Sequence, residues 1–144
     1  MKKILAFLFV GVFVIFGLTG CGANKKFDYD KAVKFLDSNI NNLEVVEDSS
    51  LKDVYGLDLD AMEKYTFKSN EDGDLYVIIK TSDVSGVKSQ MNDYFEKVEK
   101  FNTNYSPERL EILNNRVSTQ VNDYLIYIVS SEATELYDQM ISEM

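Results

Sequence analysis

Leu75-Tyr76-Val77-Ile78-Ile79-Lys80 and Tyr124-Leu125-Ile126-Tyr127-Ile128-Val129 are the two stretches that decide the fold. Each is a nearly continuous apolar run of strand length, rich in β-branched and aromatic side chains, as buried central strands are. Around the first run, residues 63–68 suit a partner strand, and Ser69-Asn70-Glu71-Asp72-Gly73-Asp74 forms a turn-rich hairpin loop. Before the second, Val117, Thr119 and Val121 alternate with Ser118 and Gln120, the pattern of an edge strand, and Asn122-Asp123 turns the chain.

Helical periodicity fills the rest. Ala32, Val33, Leu36 and Ile40 recur at helical spacing after Asp28 and Asp30, which suit an N-terminal cap. A short helix is expected from Ser49 to Tyr55, ended by Gly56 as a left-handed cap. After Ser82-Asp83, the residues Val84, Val87, Met91, Tyr94, Phe95, Val98 and Phe101 trace one face of a long helix, with Asp93/Lys97 and Glu96/Lys100 paired on its wet side. Ser106 and Pro107 open a short helix to about Leu113, and Ser130-Ser131-Glu132 opens a last one bearing Ala133, Leu136, Tyr137, Met140 and Ile141.

Residues 74–91 and 123–140 echo one another without gaps at an offset of 49, with five identities: Asp74/Asp123, Ile79/Ile128, Ser82/Ser131, Gln90/Gln139 and Met91/Met140. Two strand-strand-helix units give the expected fold class: α+β, two-layer, a four-stranded antiparallel sheet with helices packed on one face and a possible ββα pseudo-repeat.

The start of the chain has a different character. Lys2 and Lys3 precede fifteen uncharged apolar residues, Ile4 to Leu18. That run suits a secretion signal, whereas a bilayer-spanning helix needs about 20 apolar residues. Leu18-Thr19-Gly20-Cys21 then resembles the lipobox of bacterial lipoproteins, in which the cysteine receives a diacylglycerol before cleavage on its amino side. Cys21 is the only cysteine in the chain, so no intramolecular disulfide accounts for it, and lipidation does. The expected organisation is a cleaved signal over residues 1–20, a lipidated Cys21 with a short tether over 21–27, and a single acidic domain over 28–144. The tether spans roughly 20 Å when extended. It holds the domain against the outer face of the cytoplasmic membrane, with Lys25 and Lys26 at headgroup height.

Composition narrows the function. The signal carries two of the fifteen basic residues and none of the twenty-four acidic ones, which leaves residues 21–144 with a formal charge of −11. Such a charge repels phosphate backbones, and no basic cluster offsets it, so nucleic acid is not an expected partner. Histidine is absent and the lone cysteine is assigned to lipid. The usual serine, cysteine and zinc hydrolase mechanisms therefore lack their parts, and no cofactor or metal is called for. Carboxylate, Tyr, Ser or Lys chemistry remains.

The individual candidates are few. Placing Gly73 at position six of a calcium loop puts Lys68 at position one and Ile79 at position twelve, where carboxylates are required, so the loop is read as a hairpin turn. Asp58 and Asp60, alternating with Leu57 and Leu59, present either two carboxylates on one face or a turn cap. Tyr55 and Tyr105, both beside turn residues, are the candidates for an exposed contact surface together with Asp58 and Asp60.

Several pieces together resemble a family of lipoproteins from Gram-positive bacteria known only as a domain of unknown function: Tyr55-Gly56-Leu57-Asp58, the strand ending Ile78-Ile79-Lys80, Tyr105-Ser106-Pro107-Glu108 leading into Leu110-Glu111, and Asp123-Tyr124 followed by Leu125 to Ser130. The likeness runs over roughly residues 30–143 and departs from the pattern at Leu75. It implies lipidation and one small α+β domain, and it brings no activity or catalytic residue. The expectation is a non-enzymatic binding or interaction domain with an unknown protein or envelope partner. Two alternatives stay open, a carboxylate- or Tyr-dependent envelope enzyme and a structural spacer of a membrane-associated assembly.

Overall fold

The two apolar runs form adjacent central strands of one antiparallel sheet. The computed structural model describes residues 26–144, so the leader, the lipobox residues, Cys21 and Lys25 lie outside the described residues. The elements are α1 (Tyr29–Asn39), β1 (Glu44–Val45), a wide π-type turn (Ser50–Val54), a 3-10 turn (Leu59–Ala61), β2 (Lys64–Ser69), β3 (Leu75–Lys80), α2 (Val84–Tyr105), α3 (Pro107–Asn114), β4 (Val117–Val121), β5 (Tyr124–Val129) and α4 (Ala133–Ser142). The sheet has five strands in the order β1-β2-β3-β5-β4. At its centre Leu75 pairs with Val129 and Lys80 with Tyr124.

Two features differ from expectation. The fifth strand, β1, pairs Glu44 with Ser69 and Val45 with Lys68. Two exposed residues carry no periodic signal, and they join the sheet only because β2 offers them an edge. The second difference is larger, because helices cover both faces rather than one. Leu75, Val77, Ile79, Leu125, Tyr127 and Val129 pack with Val87, Met91, Tyr94 and Phe95 of α2. Tyr76, Ile78, Ile126 and Ile128 point the other way, onto Ala32 and Leu36 of α1 and Ala133, Leu136 and Met140 of α4. Side chains alternate along a strand, so a continuous apolar run needs an apolar cover on each side. The architecture is three layers.

This arrangement also settles the internal echo. An odd offset exchanges the two faces of a strand. Leu75, Val77 and Ile79 face α2, whereas their counterparts Tyr124, Ile126 and Ile128 face α1 and α4. The two ββα units therefore place their helices on opposite sides of the sheet and have opposite hand. A duplicated unit keeps its hand, so the likeness reflects shared local patterning.

Local signals hold up well at the caps. The Asp28 carboxylate accepts from the Lys31 amide at 3.1 Å and opens α1, and Asp83 accepts from Gly86 at 3.1 Å and opens α2. Gly56 ends the π-type turn at φ 70, as a left-handed cap requires. Ser106, expected to cap α3, makes no side-chain cap bond; Pro107 at the first position starts that helix.

A polar hub locks α1 to the sheet. The buried Tyr76 hydroxyl donates to Asp37 Oδ1 at 2.9 Å, and Lys68 Nζ donates to Asp37 Oδ2 at 2.7 Å. Removing the carboxylate strands a buried hydroxyl, which costs about 1–3 kcal/mol. Asp37→Ala is therefore expected to lower the unfolding free energy by that amount in urea titrations, and a loss under about 0.5 kcal/mol would refute the role.

Candidate functional site

The long helix α2 organises both ends of the molecule. Its start lies beside the chain entry: Phe27 stacks on Tyr124 with ring centroids 4.8 Å apart, Tyr124 pairs with Lys80, and Thr81 donates its amide to the Asp123 carbonyl at 3.1 Å just ahead of α2. Twenty-two residues carry the helix about 33 Å from there. The sheet covers only its first half to two thirds, where Val87, Met91, Tyr94 and Phe95 are buried.

Beyond that cover, Phe101 and Tyr105 stand out from the last two turns, 63% and 74% exposed. Their rings stack on each other at 4.9 Å. Positions four apart on a helix meet in this way. Tyr105 was expected on a contact surface; Phe101 was expected on the apolar face of α2 and is displaced from it, because the sheet ends before the helix does. Val98, one turn earlier, is the last residue packed against the core.

The other expected contact residues are occupied. Tyr55 is half-buried against the core, its ring 4.6 Å from that of Tyr94. Its carbonyl accepts from Lys97 Nζ at 2.9 Å, so the expected Asp93/Lys97 pair gives way to a cation at the end of a helical turn. The Glu96/Lys100 pair forms as expected, at 2.8 Å. Asp58 caps the 3-10 turn, accepting from the Asp60 amide at 3.1 Å, while its own amide donates to Gln90 Oε1 at 2.8 Å. Asp60 is exposed. The two acids therefore meet as cap and capped amide.

The hairpin loop is closed by its own hydrogen bonds. Asn70 Oδ1 accepts from the Asp74 amide at 3.0 Å and Asn70 Nδ2 donates to the Asp74 carboxylate at 3.2 Å. Arg109 of α3 lies over Gly73, within 3.2 Å of where a Cβ would sit, and donates to the Glu71 carbonyl. Among the described residues no group of three potential metal ligands comes together. Arg116, unremarked in the sequence, fastens α3 to α2. Its guanidinium sits 4.3 Å from the Phe95 ring centre and donates to Glu99 Oε1 at 2.8 Å.

The end where the chain enters is acidic. Glu63 and Asp123 flank Lys80 at 3.7 and 3.9 Å, Asp30 reaches Lys64 at 3.4 Å, and the capping Asp28, Asp58 and Asp83 add charge without a basic partner of their own among these pairs. A groove of about 380 Å³ lies between α1 and α4, lined by Lys31, Lys34, Phe35, Ser38, Met140 and Glu143 among others. Its polar lining is exposed, and Ser38 spends its hydroxyl on the Lys34 carbonyl.

Tyrosine is held protonated wherever a shift is resolved. Burial raises Tyr76 well above its usual value, reinforced by Asp37, and raises Tyr94 likewise. Burial also pushes Tyr127 up to about 12 against the lowering pull of Arg116. Tyr29, Tyr65 and Tyr137 are raised as well, each chiefly by desolvation. None is poised as a base near neutrality.

A hydroxyl that ionises above its unfolded value favours the fold fully below that value and loses this contribution as pH rises. Stability is thus expected to be flat to near pH 10 and then to fall through alkaline pH. Thermal unfolding across about pH 8 to 11, with tyrosinate absorbance followed in parallel, would check this; tyrosines that all titrate near 10 in the folded chain would contradict it.

Comparison with known proteins bears on the whole arrangement. Neither curated proteins nor solved structures return a match. A protein-family model matches residues 36–130, from within α1 through β5 and the residue after it, and the chain belongs to that family, described as a domain of unknown function, DUF4358.

Proposed function

We propose that the protein is a lipid-anchored, non-enzymatic interaction domain at the outer face of the cytoplasmic membrane, which meets a protein or envelope partner through Phe101 and Tyr105. The carrying observation is the stacked aromatic pair, the most exposed aromatic side chains among the described residues, held on the last two turns of α2 far from the chain entry.

The signal pattern and Cys21 support the anchor. A diacylglycerol supplies two acyl chains, enough for stable attachment where one chain binds reversibly. Phe27, expected in the tether, is packed into the fold on Tyr124, so a tether of residues 21–26 turns the acidic end of the fold to the bilayer, and the aromatic pair points outward about 30 Å away. Aromatic side chains lead the energetics of protein contacts, and two rings already stacked lose little freedom on binding. The absence of histidine, the capping role of Asp58 and the raised tyrosines support the non-enzymatic reading.

Two measurements test this. Mass spectrometry of the native protein is expected to find a diacylglyceryl Cys21 at the amino terminus, and an intact leader would defeat the anchor. A photo-crosslinking residue at position 105, in cells, is expected to give a discrete adduct that Phe101→Ala weakens, while the same probe at Asp60 gives none. Phe101→Ala should change stability by less than about 0.5 kcal/mol. Equal labelling from both positions would overturn the surface.

A further inference from the structure

Among the described residues β4 ends the sheet opposite to β1, and no strand pairs with its outer edge. The β1 edge is blunted by its length of two residues and by Glu44. β4 is five residues, Val117-Ser118-Thr119-Gln120-Val121, with no charge, no proline and no bulge in its register against β5. Such edges are the kind that proteins ordinarily protect.

Its free hydrogen-bonding groups can be assigned. Val121 and Tyr124 close a two-residue turn at Asn122-Asp123, so they exchange both backbone bonds, and bonded pairs then alternate along the ladder. Thr119 and Val117 bond to β5, at Ile126 and Ile128. Ser118 and Gln120 therefore turn their amides and carbonyls outward, and their side chains are exposed.

The strand is also complementary to itself. Paired antiparallel about Thr119, it sets Val117 against Val121, Ser118 against Gln120 and Thr119 against Thr119. In that register the two outward-facing residues of each copy become the bonded pairs, and Thr119 sits at the two-fold axis. Val117 and Val121, partly buried toward α4, meet the same side chains of the other copy. Arg116 at one end of the strand comes alongside the partner subunit's Asn122 and Asp123 at the other.

We propose that β4 is a homodimerisation edge, at which a second copy of this chain adds antiparallel about Thr119 and joins two five-stranded sheets into one. This is independent of the aromatic surface, which lies on a different element. Closed two-fold pairing consumes the β4 edge on both copies and leaves only the two-residue β1 strands at the ends of the joined sheet.

Sedimentation velocity of the full chain in detergent is expected to show a concentration-dependent dimer. Ser118→Pro removes an outward amide that the monomer's own ladder does not use, a position where proline is tolerated in edge strands. It should keep the circular dichroism spectrum and weaken dimerisation about tenfold or more. Thr119→Cys gives a second reading that does not depend on Ser118→Pro folding. Opposed non-bonded residues lie about 4.5 Å apart between Cα atoms, close enough for a disulfide. Mild oxidation should link Thr119→Cys dimers well above the unchanged chain, whose one cysteine is Cys21, and above Ser118→Cys. A monomer at all concentrations, a dimer indifferent to a folded Ser118→Pro variant, or no excess disulfide at position 119 would each overturn the proposal. A strand from a different protein as the true occupant would appear as the first of these.

Discussion

Two neighbouring strands with apolar side chains on both faces must be covered twice, and the rest of the molecule follows from that requirement. β3 and β5 pair along their whole length, each using its other edge for β2 or β4, yet their pairing leaves two apolar surfaces rather than one. α2 closes one, α1 and α4 close the other. The outer strands β2 and β4 then need only half the apolar content, and their burial is correspondingly mixed. An antiparallel sheet is free to leave one face wet; here the composition of the two central strands removes that freedom.

The same geometry explains where exposed chemistry is left over. α2 covers its face of the sheet together with Leu113 of α3 and the turn residues Leu51, Leu57 and Leu59, and it is longer than the strands it covers. A six-residue strand extends about 20 Å, and α2 extends about 33 Å. The excess carries Phe101 and Tyr105 past the core, and α3 turns back beneath it, fastened by Arg116 to Phe95 and Glu99. At the opposite end, turns and caps gather carboxylates because Asp and Asn suit the starts of helices and tight turns. The polar asymmetry of the molecule is thus a by-product of its capping as much as of any ligand.

Polar side chains that looked available for chemistry are mostly spent on structure. Asp37 serves Tyr76 and Lys68, Asp58 serves the 3-10 turn, Asn70 stitches the hairpin loop, and Lys97 serves the Tyr55 carbonyl. Thr81, fully buried, donates to the Ala61 carbonyl at 2.7 Å and accepts from the Asp83 amide. A buried hydroxyl without such partners is costly. The bonds of Asp37, of Lys97 and of Thr81 to Ala61 join segments far apart in the chain, which is why spacing along the sequence could not find them, whereas the cap bond of Asp58 and the loop bonds of Asn70 are local.

Local patterning determined the helices, the four longer strands, the hairpin loop, the caps at Asp28 and Asp83 and the left-handed glycine, because each depends on neighbours within a turn or two. It also put Tyr105 beside a helix break at Ser106-Pro107, where the ring is exposed. Only the tertiary structure decided the number of layers, the two-residue strand β1, the opposite hand of the two ββα units and the exposure of Phe101. Each of these turns on which surface meets which across a long loop. A helix face reads as apolar whether or not the sheet extends far enough to cover it, and the ends of the sheet are set by pairing partners distant in the chain.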